Sequence, residues 1–163
     1  MQATRKNMER MEEAVVGADD QRLQYMLTES AWDHRAVLDQ VAVEVDQHLG
    51  GTQDSCLLID ESGFAKKGKH SVGVQRQWCG RHGKVDNCQV GVFAALGKGR
   101  LASLIDERLY LPETWAKDSA RCRKAGIPEE ARRCRSKVDL ALEMVAHQRA
   151  LGLRHCNTCS TLR

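Results

Sequence analysis

The residues Leu57-Leu58-Ile59-Asp60-Glu61-Ser62-Gly63-Phe64 set a carboxylate directly after an apolar run, and a glycine then interrupts the pattern. A buried strand that delivers an acid to a cleft at its carboxyl end has this form, because its interior must be apolar while its end opens to water. Between Glu61 and Asp86 the chain has no acidic residue, but it has Lys66, Lys67, Lys69, Arg76, Arg81 and Lys84, with His70 and His82 among them. An anionic site beside a cationic segment suits metal-assisted chemistry on a polyphosphate: the acid holds the cation and the bases hold the backbone. The same residues admit a plainer use. A solvated Asp at a strand end stops pairing or caps a turn, and a basic loop is often only a hydrated surface.

Other residue types narrow the chemistry. Seven cysteines at irregular spacing, in a chain whose start lacks the apolar stretch of a signal peptide, point to reduced thiols rather than a disulfide framework. Only Cys156-Asn157-Thr158-Cys159, after His155, has metal-ligand spacing, and one such pair is half a zinc site. No apolar run reaches the roughly 18 residues of a membrane span, so the expected location is the cytoplasm, with no membrane partner. At 163 residues the chain is one ordinary domain or a small domain with an appendage, and at 4% aromatic its core must be built from Leu, Val, Ala and Ile. The net charge of +3 is mild, so nucleic-acid binding must rest on local clustering of bases.

The elements that would position these residues fall in a simple order. Residues 1–52 read as helical. A first helix over Lys6 to Val15 sets Met8, Met11 and Val15 on one side, and a second over Asp20 to Leu27 groups Leu23, Met26 and Leu27. Ser30, with Asp33 three residues on, reads as the cap of a third helix. Its apolar face is Val37, Leu38, Val41, Ala42, Val45 and Leu49, and Gly50-Gly51 stops it. Residues 53–152 then turn to strands: one from Cys56 ending at Asp60, a second over Gln89 to Leu96, a turn at Gly97-Lys98-Gly99, and a third over Arg100 to Leu111 before Pro112. A charged loop from Pro112 to Arg135 leads to a helix capped by Ser136 and Asp139, with Val138, Ala141, Leu142, Val145 and Ala146 as its apolar face. Asp106 echoes Asp60 in its setting, but its neighbours Arg100 and Arg108 favour a surface ion pair. Three strands and a core helix behind a short helical region match the first half of an RNase H-like α/β fold, whose first strand carries a metal-binding Asp, although many α/β domains open in the same order.

The wording of the chain adds a resemblance. The stretches "LLIDESGFAKKGKHSVGVQRQWCGRHGKVDNCQVGVF" and "LIDERLYLPETWAKDSARCRKAGIPEEARRCRSKVDLALEMV", with the "RKNMERM" opening and "LTESAWDHRAVL", resemble bacterial insertion-sequence transposases of the DDE endonuclease superfamily, in particular the group numbered seven-zero-one. The likeness implies DNA cleavage and strand transfer at insertion-sequence ends, with Mg²⁺ or Mn²⁺ as cofactor and Asp60 as the first metal-binding acid of the catalytic triad. The basic residues Lys66, Lys67, Lys69, Arg76, Arg81 and Lys84 are the candidate DNA contacts. The family continues with a strand bearing a second Asp and, much later, a Glu, whereas here Glu143 is the sole carboxylate side chain after Asp139 and residues 153–163 do not resemble the family. The resemblance therefore implies a truncated transposase with weak or absent metal binding and no cleavage by itself, since one carboxylate cannot clamp two ions about 4 Å apart. A non-catalytic DNA-binding or regulatory protein, able to pair with full-length transposase, is the second reading.

Overall fold

A computed structural model describes residues 10, 12–13, 15–160 and 162. The chain divides into two compact units, Met1–His34 and Arg35–Arg163. The expected helix over 6–15 lies largely outside the described residues. Within the first unit, helix α1 (Asp20–Thr28) is capped by the Asp19 side chain, which accepts from the Arg22 amide. Met26 and Leu27, grouped by spacing, are both exposed. Ser30 does not cap the next helix: its amide donates to Tyr25 O at 3.1 Å, so it closes the end of α1.

The second unit is built on a sheet of five strands. These are β1 (Ser55–Ala65), β2 (Gln75–Cys79), β3 (Lys84–Lys98), β4 (Leu101–Leu109) and β5 (Asn157–Ser160), with helix α2 (His34–Leu49) before them. β1 pairs antiparallel with β3 along its whole length, from Ser55 opposite Lys98 to Ala65 opposite Cys88. The far edge of β3 is shared, β2 lying beside its first part and β4 beside its second, both antiparallel. On the other side of β1, β5 runs parallel, Cys56 opposite Asn157 and Ile59 opposite Ser160. β3 and β4 are joined by the two-residue loop Gly99-Arg100, and Gly99 takes the positive φ (59°) that such a tight hairpin needs.

One face of this sheet is covered. Leu57 and Ile59 from β1, Val92, Ala94 and Leu96 from β3, and Ile105 from β4 pack with Ala42 and Leu49 of α2 and with Leu140, Ala141 and Met144 of helix α5 (Lys137–Ala150). Each large aliphatic side chain removed from water here contributes about 1.5–3 kcal/mol. Asp46 of α2 ties down the chain after α5, accepting from the Arg154 amide at 2.8 Å and from its Nε at 2.9 Å. A second, smaller core gathers Val74, Leu111, Trp115, Cys122 and Ile127.

Several expectations need correction. The basic segment is not all loop, because β2 forms inside it and β3 begins at Lys84 rather than Gln89. Gly63 does not end β1. It is buried against Cys79, whose Sγ would lie 2.9 Å from an added Cβ, so the glycine admits β2's end and pairing continues to Ala65. The charged loop after Pro112 holds two short helices, α3 (Glu113–Ala116) and α4 (Ser119–Lys124), because Trp115 and Cys122 need burial. Ser136 and Asp139 do form a capping box on α5. The helix is nevertheless turned from its expected face: Val138 and Leu142 are 57% and 63% exposed, while Leu140, Met144 and Gln148 are buried. Val37 and Val41 of α2 are likewise exposed, and Asp46 is buried in their stead.

Candidate functional site: Asp60 and the basic segments

Alternation along β1 decides what Asp60 faces. Leu57, Ile59, Glu61 and Gly63 point to the covered side, and Leu58, Asp60, Ser62 and Phe64 to the other. That second side is open, with Leu58 40%, Phe64 41% and Leu104 60% exposed. Asp60 therefore stands in the middle of its strand rather than at its end, and its acid reaches water because the face is uncovered. Its Oδ1 accepts the Glu61 amide at 2.8 Å. A shallow cavity of about 380 Å³ lies here, lined by Asp60, Ser62, Phe64, Phe93 and Leu104 among others.

Glu61 also lines this cavity, but it does not turn its acid to Asp60. Its carboxylate lies on the covered face, 2.5 Å from Lys137 Nζ at the start of α5. Asp106 is also elsewhere: it is 2% exposed, not a surface acid. Arg35 Nη1 donates to its Oδ1 at 2.5 Å, Arg108 Nη1 donates to the same oxygen, and Gln148 Nε2 donates to its Oδ2 at 2.9 Å. The expected partnership with Arg108 is present, but in the interior, where a carboxylate persists only when fully paired. Register puts Glu107 opposite Phe93, which is itself opposite Asp60, so Glu107 shares the open face two strands from Asp60. Two strand spacings are roughly 10 Å, too far for a shared ion. β5, the strand parallel to β1, carries Asn157, Thr158, Cys159 and Ser160 and no carboxylate. Among the described residues no three His, Cys, Asp or Glu side chains converge as a metal site. The donor set around Asp60 thus does not fit a pair of divalent ions.

The six basic residues divide between two pieces of chain. Lys66, Lys67 and Lys69 lie on the connection from β1 to β2, where Asn87 Nδ2 donates to Lys66 O (2.6 Å) and Gly68 O (3.0 Å) and so fixes the backbone path. Arg76 is exposed on β2 beside exposed Trp78, Arg81 lies in the 3-10 turn Gly80–His82, and Lys84 opens β3. Lys84 Nζ is 3.8 Å from Asp86. The Asp86 carboxyl is held below its usual range by hydrogen bonds from His82 and then from the Asn87 amide. Cys156 and Cys159 are exposed thiols. Sequence reasoning missed two features: the buried Asp106 network, and the approach of Arg121 and Lys124 to the 66–74 connection. Both depend on contacts between residues 40 or more positions apart.

Comparison with known proteins supplies the context for this arrangement. Residues 1–156 match the family described as "DDE superfamily endonuclease". The chain is also 39% identical over 79 residues to a "Probable transposase for insertion sequence element IS701" from Microchaete diplosiphon. That stretch covers 48% of this chain and 20% of the relative's length. No solved structure matches the chain at a significant level. No described helix is long and apolar enough to cross a membrane.

Proposed function

Since this chain belongs to the DDE superfamily of endonucleases, we propose that it is a DNA-binding piece of insertion-sequence transposase machinery, holding DNA on its basic segments and presenting Asp60 as the first carboxylate of the metal site. The superfamily works with divalent metal ions. The observation that carries the reading is the position of Asp60: it lies mid-strand on the open face, flanked by a parallel strand. The sheet supports an RNase H-like core, three antiparallel strands (β1, β3, β4) followed through a helix by a strand parallel to the first.

By the same reading the chain does not cut DNA on its own. Mg²⁺ keeps most of its water and is held by one or two carboxylates plus substrate phosphates. Asp60 supplies one carboxylate, Glu61 is turned away and paired with Lys137, and β5 offers none. The further acids would have to come from elsewhere, either from other chain or from a full-length transposase partner. A divalent ion, when bound, would stabilise charge at a scissile phosphate. The residues present here contribute DNA grip and one ligand.

DNA binding by the 66–69 lysines has a distinct signature. Neutralising a backbone phosphate releases counterions, so affinity falls with salt at a log–log slope of about −0.9 per phosphate. Replacing Lys66, Lys67 and Lys69 together by alanine is expected to flatten that slope by about two to three units, measured by fluorescence anisotropy with a labelled duplex over a salt series. An unchanged slope would mark these lysines as hydrated surface, and no binding by the intact chain would remove the DNA reading itself.

A further inference from the structure

The connection between β1 and β2 meets α4 around a cavity of about 270 Å³ that shares no lining residue with the one beside Asp60. Lys69, His70, Arg121 and Lys124 line it together with Trp115 and Ala125, and no carboxylate is among the lining residues. These four basic side chains come from segments some fifty residues apart, brought together by the small core under Trp115.

Arg121 is the fixed member. Its guanidinium carbon lies 3.7 Å from the centre of the Trp115 ring. Its Nη2 donates to Lys69 O at 2.8 Å and to Val74 O at 3.4 Å. Trp115 is fully buried, its indole N–H donating to Val74 O at 2.9 Å. The Nε and Nη1 groups of Arg121 make no hydrogen bond to the described protein residues, which leaves donors of a planar, permanently charged fork on a side chain that lines the cavity. Lys124, Lys69 and His70 are exposed around it.

We infer that this cavity is a phosphate-binding pocket that takes one backbone phosphate of bound DNA, with Arg121 as its oriented donor and Lys69 and Lys124 as its flanking charges. The inference rests on the DNA reading above and goes beyond it by assigning a discrete pocket outside the acidic site. A phosphate is favoured over an unstacked base because the Trp115 ring is already covered by Arg121, leaving no free aromatic face for a base to stack on. The size agrees, since the cavity is smaller than the roughly 300–1,000 Å³ of sites that enclose drug-sized ligands.

The test uses the whole chain, a labelled duplex and a salt series, with variants Lys124→Gln and Arg121→Lys. Lys124→Gln removes an exposed charge and is expected to flatten the salt slope by about one unit. Arg121→Lys keeps the charge but loses the planar fork, and is expected to weaken binding on the order of tenfold, as loss of a charge-assisted hydrogen bond does, with the slope nearly unchanged. Thermal unfolding of both variants checks that the fold is kept. Should Arg121→Lys unfold, the Lys124 slope alone decides. Inorganic pyrophosphate is expected to compete with DNA for the intact chain and to compete less well for the variants. Intact chain that binds DNA while Lys124→Gln leaves affinity and slope unchanged overturns the pocket and leaves the DNA reading standing. If the intact chain binds no DNA, the DNA reading fails, and the pocket falls with it.

Discussion

At the scale of single residues, Asp106 shows how tertiary surroundings overrule a local pattern. Its sequence setting resembles that of Asp60, yet a bulge in β4 beside Ala94 and Ala95 turns Asp106 inward while Glu107 takes the open face. Arg35, Arg108 and Gln148 then satisfy it from three elements. Removing one partner of a buried charge network leaves the others desolvated and unpaired, so Asp106→Ala is expected to cost about 3–5 kcal/mol in chemical denaturation. A loss below about 0.5 kcal/mol would contradict the network's role. A second residue-scale expectation concerns Cys88. Burial, and then the neighbouring Cys79 thiol, push it up to about 11 from 9.0. The folded state thus holds this proton more tightly than the unfolded chain does. Its stabilisation is complete below pH 9 and is lost as pH rises through about 11, so the denaturation midpoint should fall across that window. Thiol labelling at neutral pH should modify the exposed Cys134, Cys156 and Cys159 first and reach Cys88 only on unfolding. Native-state labelling of Cys88 at the rate of Cys134 would refute this.

At the scale of elements, what was legible depended on how local the signal was. The capping box of α5 was readable because its hydrogen bonds join residues three apart, Ser136 Oγ accepting the Asp139 amide at 3.0 Å. Ser136→Ala is accordingly expected to lower stability by about 1 kcal/mol, seen as a shifted urea midpoint, and an unshifted midpoint would show the cap to be dispensable. The face that α5 buries was not readable, because a polar residue helps choose it: Gln148 must turn inward to reach Asp106, which leaves Val138 and Leu142 in water. β2 escaped notice for a related reason. Its five residues alternate Arg76 and Trp78 with Gln75, Gln77 and Cys79, so neither side reads as apolar, and the strand exists because β3 offers it an edge. Gly63 read as a break, although its missing Cβ is what lets β1 run on past Cys79. The candidate acid itself was identified correctly as a strand residue, but its exposure comes from an uncovered sheet face rather than from a strand end.

At the scale of the whole molecule, charge and acid are set in different places. The Arg35–Arg163 unit has one sheet face packed under α2 and α5 and one open face, where among the described residues no three metal-ligating side chains converge on Asp60. The bases sit on the β1–β2 connection, the β2–β3 hairpin and α4. On the proposed reading such a surface would hold a polyanion without completing a two-ion site. The direct test incubates the purified chain with supercoiled plasmid and with linear insertion-sequence end DNA, in Mg²⁺ and in Mn²⁺, following both retardation and strand breaks. Retarded DNA with no nicking is the expected result, the same for the intact chain and for Asp60→Ala. Nicking by the intact chain that disappears in Asp60→Ala would contradict the account, because it would mean that this chain assembles a working metal site around Asp60.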